Sequence, residues 1–122
     1  MKRLILVVED DDSVRDFIVI VLQSEGHEVM TASSVDAARK IIFARPDAQA
    51  LCLIIDVVLN HESGIAFAQD VIKRYPGFRV LLISGFTDDV LLLEPENVDR
   101  MAFLPKPFTK EDLVKELDKL CG

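Results

Sequence analysis

Five polar side chains stand where apolar runs stop. Glu9 and Asp10 follow Leu4-Ile5-Leu6-Val7-Val8, Asp56 follows Leu51-Cys52-Leu53-Ile54-Ile55, and Ser84 follows Val80-Leu81-Leu82-Ile83. Lys106 comes after the shorter run from Met101 to Leu104, one residue beyond Pro105. If these runs are neighbouring strands, three carboxylates, one hydroxyl and one ammonium meet at one edge of a sheet. Crowded carboxylates raise one another's pKa unless a cation intervenes. A hard divalent ion such as Mg2+, which takes one or two carboxylates together with carbonyls and waters, answers that need. The ammonium of Lys106 and the hydroxyl of Ser84 suit the oxygens of a transferred phosphoryl group. Asp56, at the centre, is then the nucleophile.

The elements that must position these groups alternate along the chain. The run from Leu4 to Val8 is continuous and β-branched, as in a strand covered on both faces. Val14, Phe17, Ile18, Val21 and Leu22 then recur at helical spacing until Gly26 closes the helix. His27 to Thr31 reads as a second strand. Ser33 or Ser34 caps a helix carrying Val35, Ala38, Ile41 and Ile42, with Pro46 beyond its end. Leu51 to Ile55 is a third strand. Ile65, Ala68, Val71 and Ile72 mark a third helix, bounded by Pro76-Gly77. Val80 to Ile83 is a fourth strand and Met101 to Leu104 a fifth; between them Thr87 to Leu93 reads as a short helix limited by Pro95. Thr109 with Asp112 opens a last helix carrying Leu113, Leu117, Leu120 and Cys121. Five apolar strands separated by helices imply an α/β fold, a doubly wound parallel sheet with helices on both faces. Such sheets bind ligands at the carboxyl ends of their strands, where the strand order reverses.

Composition narrows the class. The chain has 122 residues, half of them apolar and 29% charged, which fits one folded domain and excludes a disordered chain. A formal charge of −7 with scattered basic residues argues against a nucleic-acid surface. No apolar run approaches the roughly 18 residues that a membrane span needs, and the N-terminus reaches its acids too early for a signal peptide. Cys52 and Cys121 read as buried thiols of a cytoplasmic protein. His27 reads as a turn residue and His61 as a solvated loop residue.

In Val7-Val8-Glu9-Asp10, Ile54-Ile55-Asp56, Gly64 eight positions later, Ile83-Ser84-Gly85 and Phe103-Leu104-Pro105-Lys106-Pro107-Phe108, the chain resembles the receiver domain of two-component response regulators, of the chemotaxis-receiver type. Each motif is weak alone. All five in order, at strand ends, are specific, and the resemblance runs from Leu4 through Leu120. It implies a flavodoxin-like strand order 2-1-3-4-5 and one receiver domain over residues 1–122. It makes Asp56 the phosphoacceptor and a Mg2+ ligand, Asp10 a direct ligand, Glu9 a ligand through water, and the Val58 carbonyl the last protein ligand. Lys106 pairs with Asp56 at rest and with a phosphoryl oxygen after transfer. Ser84 turns toward that group, Gly85 keeps space beside it, and Phe103 holds the place of the aromatic switch residue. The peptide before Pro107 is usually cis in the family. A histidine kinase or histidine phosphotransfer protein is the implied donor, and a phosphorylation-dependent dimer is one implied output.

Three positions depart from the family pattern: Asn60 replaces a common proline, Arg100-Met101-Ala102 replaces a small Gly-Ala ending, and Thr87 to Asp99 contains Pro95. Other classes fit less well. A haloacid-dehalogenase-like phosphatase needs a second acid where Val58 stands, and a nucleotide-binding module needs a phosphate cradle where Glu9 to Asp12 are acidic. The reading is therefore a phosphoacceptor signalling domain rather than an enzyme acting on a separate substrate, either a stand-alone regulator or the receiver of a larger protein such as a hybrid kinase.

Overall fold

Leu4 to Val8 form β1 (Leu4–Val8), a strand paired on both edges and, from Ile5 on, buried on both faces, which is why the run is apolar throughout. In the computed structural model, which describes residues 3–45, 52–59, 62–85 and 100–121, β1 is followed by α1 (Asp12–Ser24), β2 (Glu28–Ala32), α2 (Val35–Phe43) and β3 (Cys52–Asp56). After β3 come β4 (Val58–Leu59), β5 (Glu62–Ser63), α3 (Gly64–Arg74), β6 (Arg79–Ser84), β7 (Met101–Pro105) and α4 (Lys110–Cys121). The main sheet is parallel in the order β2-β1-β3-β6-β7. Counting its five strands alone, this is the 2-1-3-4-5 order of the flavodoxin-like fold. The antiparallel ladder of β4 with β5 was not foreseen, and it forms directly after Asp56.

Successive strand residues face opposite sides, so the runs feed two cores. Leu6, Val8, Leu53, Ile55, Val80 and Leu82 pack against α2 and α3, with Phe78 fully buried among them. Ile5, Val7, Ile54, Leu81, Ile83 and Leu104 pack against α1 and α4. Cys52 and Cys121 belong to this second layer. Both are buried there as expected, and because the start of β3 and the end of α4 meet on one sheet face, their sulfurs are neighbours, which the sequence did not signal.

Local signals set the helix ends. Asp11, Ser34 and Ser63 each accept a backbone N–H from the first turn of α1, α2 and α3. Thr109 and Asp112 exchange side-chain-to-backbone bonds at the start of α4, as the capping box predicts. Gly26 turns the chain out of α1 at φ +86°. β2 begins at Glu28, and His27 does more than turn: its Nδ1 accepts the Arg3 N–H at 3.1 Å and ties the turn to β1. The expected helix over Thr87 to Leu93 lies outside the described residues. Among the described residues, no helix is long and apolar enough to cross a membrane.

Candidate functional site

The sheet register brings the predicted residues to one edge. Val8 lies beside Ile55, Asp56 beside Ile83, and Ser84 beside Pro105. The ladder then continues a step past the strands. Glu9 N–H donates to Ala32 O at 3.1 Å, Val57 N–H to Ile83 O at 2.8 Å, and Lys106 N–H to Ser84 O at 2.7 Å. Glu9, Asp56, Ser84 and Lys106 are thus carried by hydrogen-bonded backbone rather than by free loops. The Lys106–Pro107 peptide is cis.

The buried Asp56 carboxylate is held at both oxygens. Oδ1 accepts the Val58 N–H at 3.0 Å, and Oδ2 accepts from Lys106 Nζ at 2.7 Å. The same ammonium lies 3.5 Å from Glu9 Oε2. Glu9 is buried; its Oε1 accepts the Asp11 N–H, but among the described residues Oε2 has no hydrogen-bond donor. Burial, with the Asp56 charge nearby, pushes the Glu9 carboxyl up to about 7. Burial by itself would lower the Lys106 pKa, but its hydrogen bond to Asp56 and the charges of Asp56 and Glu9 raise it instead.

One carboxylate oxygen each from Glu9, Asp10 and Asp56 lies within 4.8 Å of the other two. Asp10 is the exposed member of the group. An all-oxygen donor set with an orphaned buried carboxylate oxygen fits a hard divalent cation. Ser84 is buried on the adjoining strand end, and Val58 is exposed beside Asp56. Phe103 sits beside Leu82 in the sheet and leans on the core under α2 and α3. Among the described residues, a Cβ placed on Gly85 would meet nothing within 4 Å. Asn60, His61 and Leu91 to Leu93 lie outside the described residues.

Two supports escaped the sequence reading. Arg15 donates to the Glu9 carbonyl at 3.0 Å and pairs with Asp12, which fastens α1 beneath the acidic loop. Its signal was an arginine three positions after an acid, common on any helix. Gly64, noted as a motif, has a steric role: a Cβ there would stand 1.9 Å from the Asp56 carbonyl oxygen. The absence of a side chain lets α3 start flush against the Asp56 backbone, with Gly64 N–H donating to Val57 O at 2.7 Å.

The family model of the response regulator receiver domain matches residues 5–118. The chain belongs to that family. It is 30% identical to the response regulator receiver protein CpdR of Brucella abortus over 98% of this chain and 97% of that one. It is 31% identical to the sensor kinase CckA of Brucella abortus over 93% of this chain, but spans 12% of that kinase. It also spans 24% of an NtrX-like response regulator of Rickettsia bellii. Among solved structures, the chemotaxis response regulator CheY4 of Vibrio cholerae superposes with a TM-score of 0.80 at 29% identity, covering 98% of this chain and 99% of that one.

Two predictions follow from this geometry. Gly64→Ala forces α3 away from Asp56 and should cost at least about 2 kcal/mol in urea unfolding, in the upper part of the range for overpacked core positions or beyond it; a loss below about 0.5 kcal/mol would remove the steric role. The Glu9 carboxyl binds its proton more tightly folded than unfolded. Its contribution to stability is therefore full below its ordinary value of 4.5 and lost as pH rises through about 7. His27, lowered by burial, acts in the opposite sense. The difference between the chain and its Glu9→Gln variant in metal-free unfolding isolates the acid: the wild type should lose more stability than the variant between pH 5 and pH 8, by the linkage relation. Parallel pH curves would contradict this.

Proposed function

We propose that Asp56 accepts a phosphoryl group from a phosphohistidine of a histidine kinase or phosphotransfer protein, and that this switches the surface the domain presents to its partner. The observation that carries the reading is the Lys106 ammonium at 2.7 Å from Asp56 Oδ2 and 3.5 Å from Glu9 Oε2, an oxygen with no hydrogen-bond donor among the described residues. An Asp56 oxygen attacks phosphorus in line, the phosphorus–nitrogen bond of the donor breaks, and an acyl phosphate forms. Lys106 lies within reach of the charge that develops on the phosphoryl oxygens. The site would hold Mg2+ through Asp10, Asp56 and the Val58 carbonyl, with Glu9 acting through water, and the ion would supply positive charge to phosphoryl oxygens. Ser84 hydrogen-bonds the new phosphoryl group, and Phe103 follows by turning toward the space beside β6. A phosphoryl group brings up to two negative charges and strong acceptor oxygens, enough to draw both Ser84 and Lys106. The whole of residues 1–122 then acts as one receiver unit.

Incubation with Mg2+ and acetyl phosphate should add one phosphoryl group by intact mass. Asp56→Asn should add none, since an amide is a poor nucleophile. Stoichiometric labelling of that variant would overturn the assignment. Asp10→Ala should lose Mg2+ binding by calorimetry, at least tenfold in affinity, while its metal-free stability holds or rises because one crowded anion is gone. Unchanged Mg2+ affinity would remove Asp10 from the ligand set.

A further inference from the structure

The groove between α2 and α3 carries charge opposite to that of the chain. The protein as a whole is at −7, yet Arg39, Lys40 and Arg74 line this groove, with Asp70 as the acid among its lining residues. Asp70 accepts from Arg39 Nη1 at 3.0 Å and from Arg74 Nε at 3.2 Å. The bond to Arg39, reinforced by Arg74, holds its carboxyl below the usual carboxylate range. One anion shared by two guanidiniums leaves a positive surplus, to which Lys40 adds; among the described residues Lys40 makes no ion pair. The Arg39 guanidinium also lies over the Phe67 ring, 4.9 Å from its centroid, so this half-exposed side chain is held by two contacts.

The rest of the lining is apolar. Ile42, Phe67, Val71 and Tyr75 form a floor beneath a cavity of about 390 Å³, a size typical of small binding pockets. Phe43, the last residue of α2, stands at its rim with 85% of its surface in water, although Val35, Ala38 and Ile42 of the same helix are buried. A large exposed ring beside a concave apolar floor is the arrangement of an interaction site. Tyr75 is steadied by stacking on Phe78 at 4.9 Å, so the floor is built rather than loose.

We propose that this groove docks an acidic peptide segment of a partner protein, which lays an apolar side chain against Phe43 and Tyr75 and turns carboxylates toward Arg39, Lys40 and Arg74. The charge pattern selects that occupant. Planar guanidiniums match carboxylates in a two-bond fork. A concave floor sized for one or two side chains suits a peptide better than a flat lipid surface. The site is separate from the charged sheet edge and does not depend on the chemistry proposed for Asp56.

An NMR titration of the whole chain tests the proposal. The probe is a helical peptide with leucine on one face and glutamate beside it, run against the same peptide with lysine for glutamate and against phosphatidylglycerol vesicles. The acidic peptide should shift backbone amides within 35–44 and 64–75, and neither control should. Phe43→Ser, which removes an exposed ring and leaves the core intact, should weaken binding about tenfold, and Arg39→Glu at least as much. Phosphorylation by acetyl phosphate should be unchanged in Phe43→Ser, which separates this result from any failure at Asp56. The proposal is overturned if the acidic peptide causes no shifts at about 1 mM, if the lysine peptide binds equally, if the vesicles bind instead, or if both variants bind as the wild type does.

Discussion

A single ammonium facing two buried carboxylates sets the terms for this molecule. Lys106 donates to Asp56 and approaches Glu9, while Asp10 adds a third acid at the rim. The cluster is short of positive charge. Burial pushes the Glu9 carboxyl up to about 7, and among the described residues its Oε2 has no hydrogen-bond donor, only the Lys106 ammonium 3.5 Å away. A site in this condition favours anything that brings a compact cation, and its Asp56 carboxylate is already held at both oxygens.

The fold exists to hold that imbalance in place. Buried anions repel, so they persist only where the backbone is fixed by other interactions. Here each is attached to a strand inside a two-faced apolar sheet, and the hydrogen-bond ladder runs one residue past the strand ends. Two further supports close the edge. Arg15 ties the acidic loop to α1 by its bond to the Glu9 carbonyl, and Gly64 allows α3 to abut the Asp56 backbone with no side chain between.

Much of this is legible in the chain because strand ends are marked by abrupt changes of polarity. Val8 to Glu9, Ile55 to Asp56 and Ile83 to Ser84 each switch from apolar to polar in one step, and the structure ends or leaves the strand at those steps. The strand order and the meeting of Asp56 with Lys106 follow once the runs are taken as parallel strands. What was not legible depends on three-dimensional approach rather than on pattern. The β4–β5 ladder uses two residues on each side, too few for a period. The bond from Arg3 to His27 and the approach of Cys52 to Cys121 join positions far apart in sequence, and no local signal announces either.

In the proposed switch, Lys106 is held by Asp56 until a phosphoryl group takes it over. A crystal structure with Mg2+ and beryllofluoride, a mimic of the phosphoryl group, measures this directly. Beryllofluoride should sit on an Asp56 oxygen with Mg2+ beside Asp10, and Lys106 Nζ should have moved from Asp56 Oδ2 onto a fluorine. Beryllofluoride bound away from Asp56, or a complex in which Lys106 keeps its bond to Asp56 Oδ2 and makes no contact with fluorine, would contradict it.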